Sequence, residues 1–190
     1  MKPSASAGWV TGKKLPKGTV SGRTISCLNA EAKPSAPIKH LFHQNKHSTP
    51  MKNILVLCTG NSCRSQMAHG YLEALQSEPA ARIYSAGVET HGLNPDAVRF
   101  MAEDGIDISG HTSNHVDEYE GIAWDYIITV CDHARENCPF IPAPGAKRLH
   151  QNFSDPSKVT GSEAEKREAF IAARDQIKAY CRDFIERELR

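Results

Sequence analysis

The segment NILVLCTGNSCRSQMAHGYL, from Asn53 to Leu72, constrains the fold more than any other part of the chain. From Ile54 to Cys58 it is apolar without interruption. A strand open to water on one side alternates apolar and polar residues. A continuous run instead marks a strand covered on both faces, as in a parallel sheet flanked by helices. Thr59, Gly60, Asn61 and Ser62 follow at once, then Cys63, Arg64 and Ser65. Beyond them Met67, Ala68, Tyr71, Leu72 and Leu75 recur at helical spacing. The unit is strand, tight loop, helix, and its loop carries two cysteines and an arginine.

The alternation continues along the chain. ARIYSAG, ending at Gly87, reads as a second strand. In NPDAVRFMAEDG, Asn94 can cap a helix, Pro95 suits its first position and Gly105 stops it. WDYIITVC, from Trp124 to Cys131, is a further buried strand, and RLHQNF a weaker fourth. Ser162 and Glu165 form a capping box for one long final helix, whose buried stripe runs through Phe170, Ile177, Cys181 and Phe184. Regular strand–helix alternation predicts an α/β fold, a three-layer sandwich around a four-stranded parallel sheet. Ligands of such sheets bind beyond the carboxyl ends of the strands, where Cys58 and Cys131 both fall.

This pattern begins only near Met51. Residues 1–50 hold seven Lys and one Arg against the single acid Glu31, and are rich in Ser, Pro and Gly. They cannot bury enough apolar surface to offset chain entropy, so a flexible basic extension is expected there. Its poverty in acids is that of a targeting segment, but a single Arg and no amphipathic pattern favour a start called too early, with Met51 as the first residue. Residues 51–190 carry fifteen basic and twenty-one acidic residues. They read as one mildly acidic globular domain with no footprint for nucleic acid. No apolar run is long enough for a membrane span or a signal-peptide core. The domain is large enough to hold together without disulfide staples. Its cysteines are therefore expected to be reduced thiols in a cytoplasmic, reducing setting, with catalytic or metal roles.

Two cysteines before an arginine could bind a metal, form a disulfide or include a nucleophile. Zinc sites favour two to four residues between paired cysteines. Cys58 and Cys63 have four between them, but the other pair, Cys131 and Cys138, has six, so no metal site is expected. A Cys58–Cys63 disulfide would collapse the loop. Written as C-x5-R-S between a buried strand and a helix, the stretch aims its N–H groups at one point, and the helix end adds its positive dipole. Thr59, Gly60, Asn61, Ser62, Cys63, Arg64 and Ser65 then form a cradle for a tetrahedral oxyanion. Arg64 supplies a planar fork of donors, Gly60 close approach and Asn61 tolerance of left-handed backbone. The same surroundings favour the thiolate of Cys58, which is expected to be the nucleophile.

The segment CTGNSCRSQMA, with YSAG and THGLNP downstream, resembles the low-molecular-weight protein tyrosine phosphatase superfamily, and more narrowly its thioredoxin-coupled arsenate reductases. The likeness covers residues 51–190 and none of the extension. It implies a phosphatase-I-like fold and places Asp155 of the Asp155–Pro156 pair as the general acid. Ser157 and Lys158 stand where phosphatases of this type carry aromatic residues to stack on phosphotyrosine. The site should therefore suit a small inorganic anion.

The resemblance also implies a relay. Cys58 attacks arsenate, Cys131 attacks the Cys58 sulfur and releases arsenite, and Cys138 attacks Cys131. Residues seven apart in a helix lie about 10.5 Å apart, beyond the roughly 7 Å that a disulfide spans. A Cys131–Cys138 bond would therefore require the polar segment between them to unwind. Thioredoxin would reduce that bond, with no bound cofactor. The alternative is a phosphatase acting on phosphotyrosine or small phosphoesters. A monomer suffices for either. Relatives hold potassium with equivalents of Asn61, Ser85 and Thr112 and two acids. Here His69 and Asn114 stand at the acidic positions, so no tight potassium site is expected. His91, His111, His115 and His150 lack metal-like clustering along the chain.

Overall fold

In the computed structural model, residues 50–137 and 141–190 are described. Cys27, Cys138 and the extension up to residue 49 lie outside them. The elements run β1 (Lys52–Cys58), α1 (Arg64–Ala74), β2 (Ala81–Gly87), α2 (Pro95–Glu103), β3 (Tyr126–Thr129), α3 (Asp132–Asn137), β4 (Lys147–His150) and α4 (Glu163–Glu188). Short 3-10 turns occupy Val116–Tyr119 and Pro156–Lys158. Among the described residues, no helix is long and apolar enough to cross a membrane.

All strand pairs are parallel, in the order β2-β1-β3-β4. The expected parallel four-stranded α/β architecture is thus observed. The chain leaves β1, returns as β2 on one side, and then crosses to β3 on the other. That reversal opens a crevice beyond the carboxyl ends of β1 and β3, the ligand position in sheets wound this way. The register pairs Leu57 with Thr129. Cys58, the last residue of β1, and Cys131, two residues past β3, therefore both stand at the crevice.

The continuous apolar run of β1 divides its side chains between two cores. Ile54, Val56 and Cys58 face α1, α2 and α4 in the larger core, which holds Met67, Tyr71, Phe100, Phe170, Ile177 and Phe184. Leu55 and Leu57 point the other way, against Val116, Trp124 and Ile127. That second face is covered by the first 3-10 turn, the edge-to-face rings of Tyr84, Tyr119 and Trp124, and the Ile141–Ala146 loop. β4 pairs only with β3. Its place at the sheet edge explains its weak apolar signature.

The start and stop signals behave as read. Asn94 accepts from the N–H groups of Asp96 and Ala97 ahead of Pro95, and Gly105 takes a positive φ of 81° just past α2. Ser162 and Glu165 form the reciprocal capping box at α4. That helix fastens the layer: Phe170 stacks on Phe100 and Phe184 meets Tyr126 edge to face, with centroids 5.2 and 5.1 Å apart. Since Phe184 is fully buried, Phe184→Ala is expected to cost about 3–5 kcal/mol by urea denaturation. A cost below about 1 kcal/mol would show that α4 is not the clamp described.

Candidate active site

The loop from Cys58 to Ser65 is shaped from outside. The Thr59 carbonyl accepts from the N–H of Glu89, that of Gly60 from His91, that of Ser62 from Asn94 and that of Cys63 from Met67, at 2.9–3.0 Å. The Asn61 carbonyl accepts from the Gln66 side chain at 3.0 Å, and the Ser113 hydroxyl adds a second bond to Gly60. Five successive carbonyls are thus drawn outward. In a planar trans peptide the N–H points opposite to the carbonyl of the same unit. The N–H groups of Gly60, Asn61, Ser62, Cys63 and Arg64 are therefore turned toward the centre, an arrangement able to receive an anion.

Asn61 holds the turn. It is the one non-glycine with positive φ among the described residues, at 43°, and it is fully buried. Its side-chain oxygen accepts from the backbone of Asn114 at 2.8 Å and from Gln66 at 3.0 Å. Its amide donates to Ser65 Oγ at 3.0 Å. That hydroxyl in turn lies 2.8 Å from Cys58 Sγ and can donate its proton when the sulfur is a thiolate. The cradle thus brings a hydroxyl to one sulfur.

Arg64 extends over the same space. Its guanidinium donates to the Phe153 carbonyl at 3.1 Å and to Asp155 Oδ2 at 2.7 Å. The other oxygen of Asp155 accepts from the backbone and hydroxyl of Ser157. The carboxyl is therefore fixed beside the cradle by a partly buried ion pair, one that an oxyanion would compete with for the guanidinium.

Cys131 Sγ lies 3.4 Å from the Thr59 hydroxyl, one residue from Cys58, and receives the N–H of Ala134 at 3.4 Å. The same hydroxyl lies 3.3 Å from His133 Nδ1. A cavity of about 550 Å³ is lined by Cys58, Arg64, Cys131, Asp155, Ser157 and Lys158, with Asn152, His133 and His91 nearby. No Phe, Tyr or Trp lines it among the described residues. The remaining described thiols differ in kind. Burial, then the Asp155 carboxylate, push the Cys63 thiol far up, although it too borders the cavity. Burial alone does the same to Cys181 in the α4 core.

The roles of Gln66 and Gly87 were not read from sequence, nor was the meeting of His69 with His111. Gln66 ties Asn61 to the Thr112 carbonyl, at 2.8 Å from the latter; glutamine in a first helical turn gives no signal of such a bond. Gly87 was read as a strand end, yet a Cβ there would lie 2.6 Å from Thr59 O and 2.7 Å from Asn61 N, and closer still to Glu89 O. His69 and His111, remote in sequence, meet with ring centroids 4.5 Å apart. Burial pulls both imidazoles below their ordinary value, against the attraction of Glu73.

The family described as low molecular weight phosphotyrosine protein phosphatase matches residues 53–190. The arsenate reductase of Bacillus subtilis (strain 168) is 45% identical over 135 residues, covering 71% of this chain and 96% of that protein. A solved arsenate reductase in its oxidized state has a TM-score of 0.62 at 29% identity, covering 72% of this chain and 98% of that one. The thioredoxin-dependent arsenate reductase of Corynebacterium glutamicum shares the fold, with a TM-score of 0.55 at 21% identity over 73% of this chain and 61% of that one.

Gly87→Ala is expected to weaken phosphate binding by about tenfold or more, a loss of about 1.4 kcal/mol, because its new methyl meets backbone rather than a movable side chain. Gly110→Ala, where an added Cβ meets nothing within 4 Å, should bind as wild type. Calorimetric titration compares them, and equal affinity in Gly87→Ala would contradict the pinned loop.

Proposed function

The chain belongs to the low molecular weight phosphotyrosine protein phosphatase family, and from that footing we propose that it reduces arsenate to arsenite by passing electrons from thioredoxin through Cys138, Cys131 and Cys58 to arsenic. The observation that carries the reading is the Thr59 hydroxyl, which touches the Cys131 sulfur at 3.4 Å while its own backbone forms the cradle above Cys58. In phosphate-ester hydrolysis a second thiol beside the nucleophile takes no part in the chemistry and serves only to protect the nucleophile from oxidation. For a two-electron transfer it is required.

The cradle N–H groups and Arg64 hold arsenate, and the Cys58 thiolate attacks arsenic. One arsenic oxygen leaves as water, with Asp155 as the proton donor. The Cys131 thiolate then attacks Cys58 Sγ. The sulfur–arsenic bond breaks and its electron pair stays on arsenic, which departs as arsenite and leaves a Cys58–Cys131 disulfide. Cys138 attacks Cys131 and expels Cys58 as thiolate. A thioredoxin dithiol reduces the resulting Cys131–Cys138 disulfide by exchange.

The segment joining the last two cysteines suits this exchange. α3 is six residues long, and Asp132, His133, Arg135 and Glu136 are exposed while Ala134 is buried. Unwinding it uncovers little apolar surface, so its opening costs little. The exposed flank gives a protein reductant access. The cavity lining, polar and free of Phe, Tyr and Trp among the described residues, fits a small inorganic anion better than a phosphotyrosine ring. Every group named comes from one chain, so the activity needs only a monomer. The free thiols of the cycle need a reducing compartment such as the cytoplasm, and the turnover needs no bound cofactor.

Arsenite production with thioredoxin, thioredoxin reductase and NADPH tests the reading, with glutaredoxin as the parallel arm. Cys58→Ser should be inactive. Cys138→Ser should release about one arsenite per protein and stall, with Cys58 and Cys131 joined and detectable by peptide mass spectrometry. Sustained thioredoxin-driven turnover by Cys138→Ser would overturn the relay. Hydrolysis of an aryl phosphate far more efficient than arsenate reduction would favour a phosphatase.

A further inference from the structure

Beside the active-site loop, on the far side of Asn61, lies a second polar cluster. His69 and Glu73 stand one turn apart on α1, and His111 reaches them from the segment after α2. His69 Nε2 is 3.2 Å from one oxygen of Glu73, and His111 Nε2 is 3.9 Å from the other. One ligand atom from each residue falls within 4.8 Å of the others. They border a separate cavity of about 250 Å³, with Ser85, Thr112 and Asn114 on its walls.

The outer hydrogen bonds orient both rings for ligation. Gln66 Nε2 donates to Asn61 O, Asn61 Oδ1 and Thr112 O, which fixes the amide so that Oε1 can only accept. His111 Nδ1, 3.0 Å from that oxygen, must therefore carry its proton. In the neutral ring, Nε2 then presents a lone pair to a carboxylate oxygen, two acceptors facing each other. His69 has Nδ1 3.0 Å from the Ser85 hydroxyl and Nε2 toward Glu73, and takes the same tautomer when that hydroxyl accepts. Metal-bound histidines have this form, one nitrogen on the ion and the other N–H held by an outer oxygen.

From this geometry we infer that His69, Glu73 and His111 form a binding site for one divalent transition-metal ion of the zinc class. Two imidazoles and one carboxylate suit zinc, cobalt or nickel. They do not suit magnesium or calcium, which take oxygen ligands throughout. Ligand atoms around zinc sit about 2.0–2.2 Å from the ion, so small side-chain rotations close the set, and water fills the remaining positions. The site is wired to the nucleophile. His111 bonds Gln66, Gln66 bonds Asn61, Asn61 bonds Ser65, and Ser65 bonds Cys58. An ion here would brace the residue that holds the anion cradle in shape.

Cobalt(II) is the probe, because thiolate and imidazole–carboxylate sites differ in its spectrum. Titrated into the full chain carrying Cys58→Ser, Cys131→Ser and Cys138→Ser, it should bind one equivalent with weak visible bands and no intense near-ultraviolet thiolate absorption. In that background His111→Ala should remove the equivalent. Glu73→Gln, at an exposed position that leaves the fold intact, should weaken it by about tenfold or more. Unlabelled zinc should displace the cobalt and raise the melting temperature of the chain with Glu73 but not of Glu73→Gln. Cobalt binding of equal strength with and without Glu73, or no equivalent bound at all, would overturn the inference.

Discussion

What the rest of this structure depends on is the outward pinning of the loop carbonyls between Cys58 and Ser65. Each peptide unit has one acceptor and one donor pointing opposite ways. Binding the acceptors to the 87–94 segment, Ser113 and Gln66 leaves the donors nowhere to face but inward. Arg64, the start of α1 and the Ser65 hydroxyl act on a site that already exists for this reason. The constraint also explains an otherwise unremarkable residue. Gly87 lets the second strand bring its following backbone against Thr59 and Asn61, and a single methyl there would push the two apart.

The sheet supplies the second half of the design. Because the chain reverses direction across β1, the carboxyl ends of β1 and β3 open onto one crevice. Cys58 and Cys131 meet there although they are far apart in the sequence. The thiols are sorted by surroundings rather than by number. Burial pushes the Cys63 and Cys181 thiols up; Cys181 is enclosed in the α4 core, while Cys63 lines the cavity together with Cys58 and Cys131. The short α3, anchored inward through Ala134, begins directly after Cys131.

Much of this was legible in the chain. The unbroken run Ile54–Cys58 announced a strand with two covered faces, and both faces are covered, although on one side by a turn, three aromatic rings and a loop. Asn94, Pro95, Gly105 and the Ser162–Glu165 box marked helix ends because capping is local chemistry, visible within four residues. The cradle was legible for the same reason. Gln66, Gly87 and the His69–Glu73–His111 cluster were not. Each owes its role to segments that only the tertiary fold brings together, and neither a glutamine in a first turn nor a glycine at a strand end has a local signature. The readings for Cys138 and for residues 1–49 lie outside the described residues and rest on sequence alone.

The central claim is that one sulfur among four described thiols, that of Cys58, is the nucleophile at the base of a ring of amides. Timed alkylation by iodoacetamide at neutral pH, read by peptide mass spectrometry with and without phosphate, tests it most directly. Cys58 should react far faster than Cys63 and Cys181, phosphate should protect it, and Ser65→Ala should slow it. Cys58 reacting no faster than Cys63 and Cys181, or reacting equally fast under saturating phosphate, would contradict the account.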